Sequence, residues 1–156
     1  ILFGAATNRP DLIDPSTLRA GRFDLKLPFL LPDDGAREAI IRVSLKTLGV
    51  DHTIEDFADA VARTKGFSGA DLKEIIRVAQ RHCVFEGRSQ VTQDDLKFAV
   101  DDYIPPTAAN GDQIRLMELQ AVLACTSRSL LPTAYIAGLD DGSLRKEMEE
   151  LRYMVE

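Results

Sequence analysis

Apolar residues recur at helical spacing through most of this chain, while its first thirty residues carry short apolar runs instead. Residues 1–6 are apolar or small and end at the turn-forming Thr7-Asn8-Arg9-Pro10. Such a run predicts a strand buried on both faces, of the kind found in parallel sheets covered by helices. Asp14-Pro15 predicts a short helix, with Asp as cap and Pro at the first helical position, running to about Ala20 and stopping at Gly21. Phe23, Leu25 and Leu27 alternate with Asp24 and Lys26, which predicts a second strand between Phe23 and Leu31. Pro28 and Pro32 confine it to an edge or a short segment.

From Asp33 the period is helical. A helix is predicted over residues 34–48, with Ala36, Ile40, Val43 and Leu48 on its apolar face. Three further starts share one form: Thr53 before Asp56, Ser68 before Asp71 and Thr92 before Asp95, each at the capping-box interval. They predict helices near 54–65, 69–86 and 93–102, the second with a stripe of Leu72, Ile75, Ile76, Ala79 and Cys83. Short connections make residues 33–102 a compact four-helix unit. Tyr103-Ile104-Pro105-Pro106 breaks the pattern. A further helix is predicted from about Gln113 to Leu130, ended by Pro132, and an amphipathic one from Ser143, with Leu144, Met148, Leu151 and Val155 on one face.

Composition narrows the function classes. Of 156 residues, 45% are hydrophobic and 28% charged, as in ordinary globular proteins. The net charge of -6 argues against a broad nucleic-acid-binding surface, which needs clustered Lys and Arg, but leaves room for a small basic cluster. Cys83 and Cys125 lack any metal-ligand spacing and read as two reduced thiols. No apolar run has the length of a membrane span, and no signal peptide opens the chain. A cytoplasmic location is the expectation. The chain opens inside an apolar run without Met, so a longer parent is expected.

The candidate chemistry lies between Gly4 and Asp24. In open α/β sheets ligands bind beyond the C-terminal ends of the strands, and Asn8 would sit there. Its amide both donates and accepts, so it can hold a water and a phosphate oxygen together. Arg9, Arg19 and Arg22 follow, and arginine makes forked, permanently charged contacts to phosphate. Each residue also has a structural reading. Asn8 could shape a turn, Arg19 could meet a helix dipole, and Arg22 could pair with Asp14 or Asp24. The joint spacing favours the phosphate reading.

The stretch GAATNRPDLIDPSTLRAGRFD resembles the second region of homology of AAA-type ATPases, and GFSGADLKEIIRVAQ resembles the start of a lid helix in the same family. Both occur in the family's order and together cover residues 1 to about 102. The resemblance implies a mainly α fold: a remnant of an α/β P-loop-type sheet domain over residues 1–32, a helical lid over 33–104 and a helical extension over 105–156. It implies that Asn8 is sensor 1, which orients the attacking water. It implies that Arg19 and Arg22 are arginine fingers reaching the ATP site of a neighbouring subunit, where such a residue raises the rate roughly 10³–10⁵-fold. It implies that Gly69 and Ala70 form the sensor 2 segment, small enough for the backbone to approach adenine, with Ser68 as helix cap.

The departures matter as much. The family's ribose-side histidine falls on Leu45, and His52 and His82 read as ordinary surface or helix residues. No GxxxxGK[ST] loop is present, nor an apolar run ending in Asp-Glu; those elements hold the β/γ-phosphates and Mg²⁺. ATP and Mg²⁺ are thus expected in the parent, and no cofactor, activity or tight nucleotide affinity in this piece alone. No HExxH peptidase motif occurs, and the end Tyr153-Met154-Val155-Glu156 does not match the hydrophobic-Tyr-any tail of proteasomal ATPases. The expected partners are other copies of the parent, as a homo-oligomeric ring, and a protein substrate to be remodelled. The helix at 113–130 is expected to pack on the lid. The alternative is a non-catalytic helical scaffold that activates neighbouring subunits in trans.

Overall fold

The computed structural model describes residues 3–9, 12–14, 16–17, 19, 21–106 and 110–155. The chain divides into two compact units, residues 31–109 and residues 1–30 together with 110–156.

The unit of residues 31–109 holds α1 (Asp34–Thr47), α2 (Ala58–Arg63), α3 (Gly69–Phe85) and α4 (Gln93–Asp102). Helix α3 packs on α1 and α4, and α2 packs on the same two. Ile41, Leu45, Phe57, Leu72, Ile75, Ile76, Val91 and Leu96 fill the core between them. The local signals explain three of the four starts. Asp33 caps α1 by accepting from the Ala36 N–H at 2.8 Å. Ser68 and Thr92 form complete capping boxes with Asp71 and Asp95.

Two expectations are corrected in this unit. Helix α2 begins at Ala58, not near 54, because Thr53 is engaged elsewhere. The Thr53 N–H donates to the Val91 carbonyl and the Val91 N–H to the Asp51 carbonyl, both at 2.9 Å, as a parallel bridge of His52 and Val91. Asp56 still serves α2 by accepting from the Ala58 N–H at 2.8 Å. The apolar face of α1 is also rotated. Ile41 and Leu45 are buried with Arg37 and Ser44, whereas Val43 is exposed. Arg37 shares this face with Ile41 and Leu45: its guanidinium donates to the Val61 carbonyl at 3.0 and 3.3 Å, to the Pro32 carbonyl at 3.0 Å and to Asp34 at 2.7 Å. A buried arginine is tolerated because its donors are satisfied.

In the other unit lie α5 (Gly111–Ala124), a 3₁₀ turn (Arg128–Leu130), α6 (Thr133–Asp140) and α7 (Ser143–Val155). Leu119, Val122, Leu131, Leu144 and Leu151 form its core. The predicted helix 113–130 ends early, at Cys125, whose ψ of 137° leaves the helical region. Within its unit it packs on α7, where Arg115 donates to Glu147 at 2.7 and 3.1 Å, and Arg115 also donates to Glu118 of its own helix at 2.7 Å. Helix α6 was not foreseen. It starts directly after Pro132, and Gly138 lets α7 approach it: an added Cβ would meet Leu144 Cγ at 2.7 Å.

Neither predicted strand forms among the described residues. Residues 3–7 and 24–33 are extended or irregular and mostly exposed. A strand needs a neighbour to satisfy its backbone groups, and these segments have none in the described residues. The secondary structure is accordingly helical, as the mainly α expectation had it.

Candidate functional site

The candidate residues fall on both units, Asn8, Arg19 and Arg22 on one and Gly69 and Ala70 on the other. Around Asn8 the chain is held by local bonds. The Arg9 N–H donates to Thr7 Oγ1 at 3.0 Å and the Leu12 N–H to the Arg9 carbonyl at 3.2 Å. Asn8 is exposed.

The arginines sit on a closed turn. The Thr17 N–H donates to the Asp14 carbonyl at 2.9 Å and the Ser16 N–H to Asp14 Oδ1 at 2.6 Å. Hydrogen bonds from the Ser16 hydroxyl, and then its N–H, hold the Asp14 carboxyl below its ordinary range. Of the helix expected over 14–20, Pro15, Leu18 and Ala20 lie outside the described residues, and the four described positions form turns and bends rather than helix. Beyond it, the Arg22 N–H donates to the Arg19 carbonyl at 3.3 Å and the Gly21 N–H to Asp24 Oδ1 at 2.6 Å. Gly21 has φ +87°, a conformation that favours glycine. Asp14 and Asp24 are therefore turn-formers and not ion-pair partners of Arg22. Arg22 Nη1 reaches only the Ser16 hydroxyl, at 3.4 Å. Arg19 and Arg22 are both exposed, and neither is ion-paired among the described residues.

In the helical unit, Gly69 and Ala70 are the first two residues of α3, both exposed. Ser68 and Asp71 close the capping box at their back, and Tyr103 donates its hydroxyl to Asp71 at 2.9 Å. Gly69 is not required by the fold, since an added Cβ would meet only Ile40 Cδ1, at the ordinary contact distance of 3.8 Å. Leu45 is 1% exposed and belongs to the core.

Sequence reasoning missed the main charge centre of this unit. Asp95 is fully buried and accepts from Arg88, from His82, from the Thr92 hydroxyl and from the Thr92 N–H. His82 stacks on Phe98 with ring centroids 4.0 Å apart. Arg88 foremost, against the cost of burial, holds the Asp95 carboxyl far below the ordinary carboxylate range. Only the Thr92–Asp95 interval was visible as a signal.

Among the described residues no cluster of three or more His, Cys, Asp or Glu could hold a metal ion, and no helix is long and apolar enough to cross a membrane. Asn8, Arg19 and Arg22 are all exposed, and the sequence carries no GxxxxGK[ST] loop.

A helical bundle with these caps, preceded by this arginine-bearing turn, defines an AAA-type lid with the end of its ATPase core. Residues 54–98 match the family model of the AAA+ lid domain. The ATP-dependent zinc metalloprotease FtsH 2 of Symbiobacterium thermophilum is 36% identical over 141 residues, covering 90% of this chain and 24% of that protein. The ATP-dependent zinc metalloprotease FtsH of Staphylococcus haemolyticus is 41% identical over 104 residues, covering 67% of this chain and 14% of the relative. The proteasome-activating nucleotidase of Thermococcus kodakarensis is 39% identical over 115 residues, covering 74% and 28%. The chain thus spans less than a third of each of these relatives. It carries the C-terminal part of an AAA-type ATPase module, including its helical lid.

Proposed function

We propose that this chain is the sensing and subunit-coupling part of an oligomeric ATPase that uses ATP binding and hydrolysis to remodel proteins. The observation that carries the reading is the pair Arg19 and Arg22, exposed on a hydrogen-bonded turn with no carboxylate of the described residues neutralising either. Two exposed arginines whose backbones are joined by the Arg22 N–H to Arg19 carbonyl bond suit contact with a transferring phosphoryl group. In a ring of copies, each subunit's Arg19 and Arg22 would reach the ATP of its neighbour, while Asn8 orients the attacking water at its own site. Gly69 and Ala70 would let the α3 N-terminus approach the base. Bound ATP and Mg²⁺ would supply the scissile phosphoanhydride and neutralise its charge. Without a GxxxxGK[ST] loop, this chain alone would neither hydrolyse ATP nor bind it tightly.

The names of the relatives, an ATP-dependent protease and a proteasome-activating nucleotidase, support a protein substrate. The acidic net charge gives no support to a nucleic-acid one. A cytoplasmic setting suits the two free cysteines. The test is turnover and ATP affinity in the full-length protein and its Arg22→Ala variant. Loss of turnover with binding retained is expected; turnover near wild type would exclude the finger role. Calorimetry of this chain with ATP should give no binding at millimolar concentration or tighter.

A further inference from the structure

Residues 110–155 have no role in the reading above, yet they share a compact unit with the arginine turn. The connection is specific. Four residues after Arg22, the Lys26 N–H donates to Thr126 Oγ1 at 3.1 Å. Four residues further, Leu30 packs against the core of Leu119, Val122, Leu131, Leu144 and Leu151. The extended segment 24–30 is therefore held at Lys26 by the stretch after α5 and at Leu30 by the core of the C-terminal helices, although it forms no strand.

The receiving surface is built to hold still. Thr126 sits in the break after α5, where Cys125 Sγ lies 3.3 Å from the Ser127 carbonyl and the Ser127 and Ser129 hydroxyls are 2.9 Å apart. Arg128 donates to Asp140 at 2.5 Å, tying the 3₁₀ turn to the end of α6. Arg115 joins α5 to α7 through Glu147 and to α6 through the Tyr135 hydroxyl, at 3.3 Å. Leu119 and Val122 are at most 1% exposed.

We infer that the C-terminal helices are a positioning platform for the arginine turn, with Thr126 its anchor. This rests on the finger reading of Arg22. Chain reach shows what the anchor changes. From Leu30, packed in the core, eight residues lead back to Arg22, a tether of roughly 26 Å when extended; from Lys26 four residues leave about 13 Å. Together with the Gly21–Asp24 closure, the anchor converts a long tether into a short, supported loop. A guanidinium that must meet a phosphoryl group in a neighbouring subunit loses rate steeply with small misplacement. Thr126 touches no substrate and is a positioning residue.

The experiment uses the full-length protein and its Thr126→Val, Thr126→Ser and Arg22→Ala variants, measuring kcat, KM for ATP and amide exchange at Lys26. Valine keeps the shape and removes the acceptor; serine keeps the acceptor. Thr126→Val should lower kcat about 3–10-fold with KM unchanged and accelerate exchange at Lys26, and Thr126→Ser should restore both. Unchanged kcat for Thr126→Val while Arg22→Ala is inactive would overturn the platform and leave the finger reading standing. If Arg22→Ala itself retains turnover, the finger reading falls. A fall in thermal stability equal for valine and serine variants, with kcat lost in both, would make Thr126 merely structural and also overturn the platform.

Discussion

Arg88 meets Asp95 through two hydrogen bonds of 2.5 and 2.6 Å, joining the loop after α3 to the start of α4, and the carboxylate they share is fully buried. His82 and Thr92 take its remaining lone pairs. Because the folded carboxyl titrates below its unfolded value, it binds protons less readily when folded. Its stabilisation is present above the unfolded pKa of about 3.9 and is lost as the pH falls from there. The helical unit should therefore lose stability on acidification below about pH 4. Urea titrations at pH 7 and pH 3 should show a smaller pH effect in Asp95→Asn, which is already destabilised at pH 7 because the buried carboxylate shared by Arg88, His82 and Thr92 is lost. An equal pH effect in both proteins would count against the assignment.

Ser68 stands at a second junction, where Asp71 links the α3 cap to the Tyr103 hydroxyl at the end of α4. Ser68→Ala should cost about 1 kcal/mol in denaturant unfolding without altering the m value. Burial first, and then the bond to Asp71, push the Tyr103 hydroxyl up to about 12. Its raised folded pKa means that the neutral phenol stabilises the fold below about pH 10, and that this is lost as the pH rises through 12. Absorbance titration of wild type against Tyr103→Phe should show that one tyrosine ionises late.

Gly69 separates fold from function. Its backbone is not left-handed and a Cβ there meets only ordinary contacts. Gly69→Val should leave the unfolding free energy within about 0.5–1 kcal/mol of wild type, since the position is exposed at a helix start. In the full-length protein it should nevertheless weaken ATP binding several-fold, by keeping the base away from the α3 N-terminus. Isothermal titration of both proteins with ATP checks this; equal affinities would remove Gly69 from the site.

Legibility in the sequence followed the range of the interactions. Helices α3 and α4 were predicted nearly to the residue, because Ser68–Asp71 and Thr92–Asp95 act over three positions and the apolar stripes are regular. Thr53 carries the same local signature and does not cap, because Val91, distant in sequence, takes its backbone. The buried face of α1 includes Arg37, whose bonds to the Val61 carbonyl no local pattern encodes. The strands failed because a ladder is a property of pairs. Within the candidate site, Asn8, Arg19 and Arg22 were visible as a motif, and the structure adds that neither carboxylate near Arg22 pairs with it. Thr126 was invisible, since nothing in its own neighbourhood marks it as the acceptor for Lys26.

The finger role in trans is tested most directly by mixing two inactive proteins. One is the full-length Arg22→Ala variant; the other keeps Arg22 and carries an Ala at the phosphate-binding lysine that the proposed function requires outside this chain. In mixed rings some sites combine an intact phosphate loop with a neighbour's intact arginine, so ATP turnover should reappear in the mixture well above the sum of the two alone. Mixed assemblies that form but stay inactive would contradict the account.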